Sequence, residues 1–486
     1  MNKRILLIRT HKPLNAGGPV PPLGLLYIAS AIMKNFGEKY EIRILHFGLK
    51  NLLIEDAENE IESFQPHLVG LSVLTCEADL MHEIAKRIKK ISPNTLILVG
   101  GPHASLAKQY LLQDKNIDYG ITGEGETTII EFLKAWENLI DPSKIDGLVY
   151  RDKDRNIFAR PHVSITDLDN VSILPYVWDL IDIKEYGKYN NWNGTCKEKF
   201  YASIITSRGC PFNCTFCRSR DVFGTKFRAR SPENVFSEIL FLSKKLKVKE
   251  IHFFDDVFNF DAERVKRICS LIIDSGLKLS LAFPNGLRAD IMNSELIDIL
   301  KKAGAYKINY GIETVNARIQ RMIKKELNIR YINEIISKTV KSGIITTGYF
   351  ILGFPGETHK EMIETIDFAV NSDLDNAYFF KYTDFSNIVF SNHFNNIRED
   401  NSEFINLHFH SSKNTSPGIN NYKLNHIILK AQQRFYLNIK RLTHSLVRSP
   451  NKLLFLRGLF QTFALILQSY LITKFENNKQ IYNSVV

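Results

Sequence analysis

The chain has 486 residues, 44% hydrophobic and 24% charged, enough to bury more than one core, and two or three domains are expected. Its net charge of +11 comes without a long block of like charge and without a basic run interleaved with aromatics, so a solvated basic surface is expected rather than a nucleic-acid platform. The opening apolar stretch, residues 5–8, is too short for a secretory signal, and three of the six cysteines crowd into one segment. Both features argue against a disulfide framework and for metal or redox chemistry in a reducing, cytoplasmic compartment.

From the amino terminus, short apolar runs at 5–8, 42–45, 68–73, 96–99 and 119–121 alternate with helical periods at 24–34, 55–64 and 77–90. The repeating strand-helix-strand unit predicts a doubly wound α/β domain over residues 1–145, with its ligand site beyond the carboxyl ends of the strands. Turn-forming residues stand at those ends: Pro21-Pro22-Leu23-Gly24, Ser72, Gly100-Gly101-Pro102-His103 and Gly123-Glu124-Gly125-Glu126. None is a Gly-x-Gly-x-x-Gly fingerprint opening a helix, so a nicotinamide or flavin dinucleotide finds no support.

Residues 146–200 read as a connector, with a hairpin around 153–156. Strand-like runs return at 203–206, 250–254, 279–283, 307–310 and 346–352, separated by helical stretches such as 233–244 and 261–275. A full or partial (β/α) barrel over 201–395 fits this alternation, and its chemistry is expected where loops leave the carboxyl ends of the strands. Residues 396–486 are expected to be a helical region, with Lys430, Arg434, Lys440, Arg441, Arg448 and Arg457 in its helix-like part. Its apolar run, 453–475, is broken by Arg457, Gln461 and Gln468, which disfavours a spanning helix and leaves docking on the enzyme or peripheral membrane contact.

Directly after the first barrel run comes Cys210-Pro211-Phe212-Asn213-Cys214-Thr215-Phe216-Cys217. Three soft thiolates within eight positions suit a cubane cluster with one open iron; zinc closed by a distant fourth ligand is the structural alternative. Cys76, Cys196 and Cys269 are too scattered to be obvious fourth ligands.

This segment, on a loop after a barrel's first strand, resembles the radical S-adenosylmethionine superfamily. The resemblance implies a 4Fe-4S cluster on Cys210, Cys214 and Cys217, and S-adenosylmethionine bound at the open iron. By position, Phe216 resembles the aromatic residue near the adenine, and Phe254-Asp255-Asp256 the segment that meets the methionyl ammonium. Asn285 and Arg288 are placed near the ribose or carboxylate, Gly311-Ile312-Glu313 matches a glycine-x-glutamate segment, and the stretch 348–356, with Gly353, resembles the adenine cradle. A doubly wound domain ahead of such a barrel resembles the cobalamin-binding subclass. That likeness implies cobalamin, with Ser72, Gly100, Gly101, Gly123 and Glu124 lining its slot; Asp-x-His-x-x-Gly is absent, so no histidine ligand to cobalt is predicted. A methylthiolating enzyme acting on transfer RNA has the same domain order but carries a second cysteine cluster, and only Cys76 stands in the amino-terminal domain.

The resemblance implies a methylase acting on an unactivated carbon of a small or lipid-like molecule, fed by an electron donor such as flavodoxin or ferredoxin and needing no nucleic acid. Two alternatives stay open: cobalamin-associated radical cyclisation, oxidation or rearrangement, and a corrinoid- or zinc-binding protein without radical chemistry.

Overall fold

The computed structural model describes residues 3–11, 19–49, 54–188, 196–383 and 421–448, with 452, 453, 456 and 460. The first sheet is built from β1 (Lys3–Arg9), β2 (Tyr40–His46), β3 (Leu68–Ser72), β4 (Leu96–Gly100) and β5 (Tyr119–Ile121), all parallel, in the order β2-β1-β3-β4-β5. Helices α1 (Leu23–Phe36), α2 (Ile54–Phe64), α3 (Ala78–Ile91), α4 (Pro102–Ala107) and α5 (Gly125–Trp136) cross between them. Strand burial is continuous, as in β1 and β3, because both faces of a parallel sheet are covered. The strand order reverses between β1 and β3, which puts the ligand crevice of such a sheet beyond Arg9 and Ser72.

The sheet extends past residue 145. Strands β6 (Leu148–Arg151) and β7 (Ile157–Ala159) add to β5 as an antiparallel hairpin, so the pair expected within the connector belongs to the first sheet. Its register buries Leu148 and Val149 in the cores on opposite faces of that sheet, an apolar gain that a free hairpin would forgo. The rest of the connector carries α6 (Ile183–Lys188).

The second sheet has six parallel strands in the order β15-β14-β13-β12-β11-β8, an open partial barrel. They are β8 (Tyr201–Ile204), β11 (Glu250–Phe253), β12 (Ser280–Leu287), β13 (Ala305–Glu313), β14 (Ile345–Leu352) and β15 (Asn376–Lys381). Between β8 and β11 lie a two-stranded stem, β9 (Ser207–Arg208) with β10 (Arg228–Ala229), and α7 (Arg220–Phe223). Helices α8 (Pro232–Lys244), α9 (Ala262–Asp274), α10 (Ser294–Lys302), α11 (Ala317–Met322), α12 (Ile329–Lys341) and α13 (His359–Asn371) cover the outside. Side chains alternate along each strand: Ile251, Phe253, Leu281, Phe283, Ile308, Phe350 and Leu352 pack under the helices, while His252, Asn309, Thr347 and Tyr349 point the other way.

One apolar core runs through both domains, from Ile5, Leu7 and Leu26 to Ile204, Ile251 and Phe283; a second core, with Leu6, Val69 and Ile84, fills the far face of the first sheet. At the carboxyl terminus α14 (Asn421–Tyr436) buries Leu424, Ile428, Ala431 and Phe435 against the barrel, and α15 (Ile439–Arg448) follows. Arg441 caps the carbonyls of Val370, Ser372 and Leu374, and Arg448 bonds Ile344 O. These basic side chains turn onto the enzyme, whereas Ile439, Val447, Leu453 and Phe460 are exposed. Most of the apolar run 453–475 lies outside the described residues, and no described helix is long and apolar enough to cross a membrane.

Candidate active site

The cysteine loop springs from the β9–β10 stem at the carboxyl end of β8. Gly209 opens it at φ +81°, where an added Cβ would lie 2.3 Å from Lys226 O, so only glycine lets the strand turn this tightly. Backbone bonds shape the loop: Cys210 N donates to Gly224 O at 3.4 Å, Cys217 N to Cys214 O at 3.3 Å, and Thr215 N to Ile323 O at 3.1 Å. Burial raises the Cys210 thiol and pushes Cys217 up to about 11, with Asp256 and neighbouring cysteines adding to the rise. Two buried thiols that resist ionisation alone suit cationic iron, which would hold them as thiolates.

The other three cysteines lie elsewhere. Cys76 follows β3, Cys269 is buried in α9, and Cys196 sits at the amino end of β8, the opposite end of the barrel. Cys196 does converge with Glu250 and His252, their ligand atoms lying within 4.8 Å of one another. That cluster is closed on itself: Glu250 accepts Lys197 N at 2.8 Å, Glu198 N at 2.7 Å and Tyr306 OH at 2.5 Å, pairs with His252 Nε2 at 2.6 Å, and has the buried Lys307 beside it. A satisfied polar plug at the floor of a barrel stabilises the fold rather than serving chemistry.

Around the cysteine loop the two aspartates divide. Asp255, 2% exposed, accepts Thr206 N at 2.7 Å, Thr206 Oγ1 at 2.6 Å and Ser207 Oγ at 2.5 Å, so both of its oxygens are engaged in holding the root of the loop. Asp256 keeps a buried Oδ2 without a hydrogen-bond partner beside Cys210 and Cys217, and burial raises its pKa. A buried carboxylate oxygen without a hydrogen bond, beside Cys210 and Cys217, is chemically suited to receive an ammonium.

The remaining residues gather at the same strand ends. Asn285 donates to Phe254 O at 2.9 Å and Asp255 O at 3.3 Å, bracing the β11 end. Arg288 is fixed by Asp290 at 2.9 and 2.6 Å, and its guanidinium lies 3.5 Å from the ring centre of Phe212 in the cysteine loop. Both side chains therefore already have protein partners. Glu313 adopts φ +65° and pairs with Lys325 at 2.9 Å; Lys325 in turn lies 5.9 Å from the Phe216 ring. Phe216 meets Phe354 edge-on at 5.9 Å in a small apolar cluster with Ile319, Ile323, Ile351 and Tyr382, a surface suited to a purine face.

Gly353, at φ +84°, gives its N–H to Glu357 Oε2 at 2.6 Å, and Phe354 gives its own at 3.0 Å. Burial pushes the Glu357 carboxyl from 4.5 to about 7 despite those two amides. Because the folded value is raised, stability from this group is full below 4.5 and is lost as pH climbs through 7. Glu357→Gln is expected to flatten the melting temperature over that window; an unchanged slope would refute the assignment.

In the first domain, Ser72 stands at the β1/β3 crevice, where its carbonyl accepts Thr10 N at 3.2 Å and Thr10 Oγ1 at 3.0 Å. A Cβ on Gly100 or Gly24 would meet nothing within 4 Å, so both glycines border open space; one on Gly101, at φ +90°, would lie 3.0 Å from Val73 N and 3.4 Å from Ser72 Oγ. Open glycine edges at the switch point fit a large flat ligand. Gly123, at φ +69°, packs under His162 and donates to Ser105 Oγ at 2.8 Å. Glu124 differs from its expected place in the slot: it is buried in ion pairs with Arg208, 2.8 Å, and Arg228, 2.6 Å. Glu126 joins it, 2.5 Å from Arg208. Two facing guanidiniums in a dry stem outcompete a neutral ligand edge for that carboxylate.

Residues 204–369 match the radical SAM superfamily model and residues 14–133 the B12 binding domain model. An uncharacterized methyltransferase of Pyrococcus horikoshii is 31% identical over 360 residues, covering 74% of this chain and 75% of that protein. The chain belongs to the cobalamin-binding radical SAM enzymes. An anaerobic magnesium-protoporphyrin IX monomethyl ester cyclase of Synechocystis is 24% identical, covering 75% of this chain and 71% of that protein. The fold is that of the radical S-adenosylmethionine methyltransferase TsrM of Kitasatospora setae, at TM-score 0.64 and 20% identity, covering 78% of this chain and 73% of the other. As a family member the chain works with a 4Fe-4S cluster, S-adenosylmethionine and cobalamin, on a small molecule and with a reductant.

Arg208, Arg228, Tyr27, Lys325 and Glu357 took no part in the sequence argument, and Glu126 entered it only as a turn residue. A lone arginine before a glycine carries no signal in sequence, and its importance lies in partners 82 and 84 residues away.

Proposed function

We propose that the chain methylates an unactivated carbon of a small or lipid-like substrate, with Cys210, Cys214 and Cys217 holding the cluster and the crevice at Thr10, Ser72 and Gly100 receiving cobalamin. When bound, these groups supply one-electron cleavage of the sulfonium bond of S-adenosylmethionine and a carrier for the methyl group. The observation that carries the reading is that the two parallel sheets turn loops from their carboxyl ends toward each other: residue 124, beyond β5, touches residue 208, beyond β8.

The protein's own work is then binding, orientation and exclusion of water. Asp256 offers its orphaned oxygen to the methionyl ammonium, Phe216 and Phe354 offer a face to the adenine, and Gly353 is held by Glu357 so that its turn stays narrow. Asp255, Asn285 and Arg288 brace the loop and strand ends that present these groups. An electron donor of the flavodoxin or ferredoxin kind completes the cycle.

The relative named a cyclase supports a second reading, ring closure or oxidation with the same cofactors. Anaerobic reconstitution with iron, sulfide and cobalamin, followed by reductant, S-adenosylmethionine and a cell extract supplying substrate, separates the two. Methylation yields both deoxyadenosine and S-adenosylhomocysteine, the latter only with cobalamin. Deoxyadenosine alone would favour the cyclase-like reading, and neither product would refute both.

A further inference from the structure

Arg208 and Arg228 face each other directly across the antiparallel β9–β10 stem. Like charges at opposed positions repel, and the two side chains, 5% and 4% exposed, have little water to shield them. The conflict is resolved from the other domain. Glu124 lies between them, Oε2 2.8 Å from Arg208 and Oε1 2.6 Å from Arg228, and Glu126 takes the second nitrogen of Arg208 at 2.5 Å. Tyr27 of α1 places its ring 4.8 Å from the same guanidinium and donates its hydroxyl to Ile205 O at 3.1 Å. Three side chains of the first domain thus grip a residue two places before Cys210.

These contacts are not needed to keep the domains together, because one apolar core already runs through both. Buried ion pairs add little stability over apolar filling of the same volume; what they can specify is register. We propose that the Glu124–Arg208–Glu126–Arg228 bridge is a positioning device that locks the stem of the cysteine loop to the 123–126 loop of the cobalamin domain and so sets the separation of the two cofactors. Arg208 and Glu124 act here as positioning residues, through the loops they join. The inference rests on the reading that the three cysteines hold the cluster and the first domain holds cobalamin.

Loss of the bridge frees the separation while leaving each cofactor's own ligands in place. The test reconstitutes wild type, Glu124→Gln, Glu126→Gln and Arg208→Lys with iron, sulfide and hydroxocobalamin. After reduction, the distance between cob(II)alamin and the reduced cluster is read by pulsed EPR. Wild type is expected to give one narrow distance. Glu124→Gln, which removes the one carboxylate shared by both arginines, is expected to lose it at unchanged iron and cobalamin content. Glu126→Gln should broaden it less, and Arg208→Lys should fall between them. A wild-type distance in all three variants overturns the proposal. Should Glu124→Gln fail to fold or load, Glu126→Gln decides alone, and an unbroadened distance there overturns it equally. Failure of wild-type protein to bind cobalamin would instead refute the cofactor reading; the cluster's own EPR line then decides the bridge, with broadening in Glu124→Gln in favour and an unchanged line against.

Discussion

Cys214→Ala is expected to abolish deoxyadenosine formation from S-adenosylmethionine. Cys214 is the most buried of the three clustered cysteines, 9% exposed, and its carbonyl accepts the Cys217 amide, so it sits where the loop folds back on itself. No described cysteine replaces it: Cys196 lies at the far end of the barrel, Cys269 in a helix core and Cys76 beyond β3. A site left with two thiolates forfeits the cubane rather than weakening it. The expected signature is loss of the broad cluster absorbance, a fall of bound iron and sulfide to background, and deoxyadenosine at the level of the protein-free control. Because alanine is small and the backbone bond is kept, thermal unfolding of the cluster-free variant should differ little from that of cluster-free wild type. Cys76→Ser under the same reconstitution should retain iron and product. Substantial iron and deoxyadenosine in Cys214→Ala would disprove the ligand assignment; zinc without sulfide in wild type would disprove the cluster.

Much of this architecture is legible before any coordinates, because it rests on local pattern. The runs 5–8, 68–73 and 96–99 are apolar on both faces, which only a covered parallel strand explains, and they become β1, β3 and β4. The cysteine spacing is equally local. What the sequence hides is pairing between distant residues. The 148–159 hairpin reads as a free connector because nothing in it says which edge it joins, and β5 recruits it by apolar fit. Asp255 and Asp256 are adjacent and chemically identical in sequence; strand alternation turns one toward Thr206 and Ser207 and leaves the other facing the cysteines. Glu124 reads as part of a glycine-rich ligand loop, and only the fold brings two arginines to it.

Arg208→Ala should be the most destabilising single substitution in the inter-domain bridge. The guanidinium is 5% exposed and serves two carboxylates, Glu124 at 2.8 Å and Glu126 at 2.5 Å, whose side chains are 0% and 5% exposed. Removing it leaves Glu126 without an ion-pair partner and Glu124 with Arg228 alone. Breaking a buried pair from one side costs about 3–5 kcal/mol, since a charge is stranded out of water. Glu126→Gln in the wild-type background strands no anion and should cost less. Together with Arg208→Ala it should recover part of the loss, because the stranded charge is gone. A double-mutant cycle by denaturant unfolding of the reconstituted protein measures this directly. Strong positive coupling between Arg208 and Glu126 is expected, together with a smaller midpoint shift in the double variant than in Arg208→Ala alone. Simple additivity would mean that water reaches these carboxylates and that the bridge is an ordinary surface contact, worth at most about 1 kcal/mol.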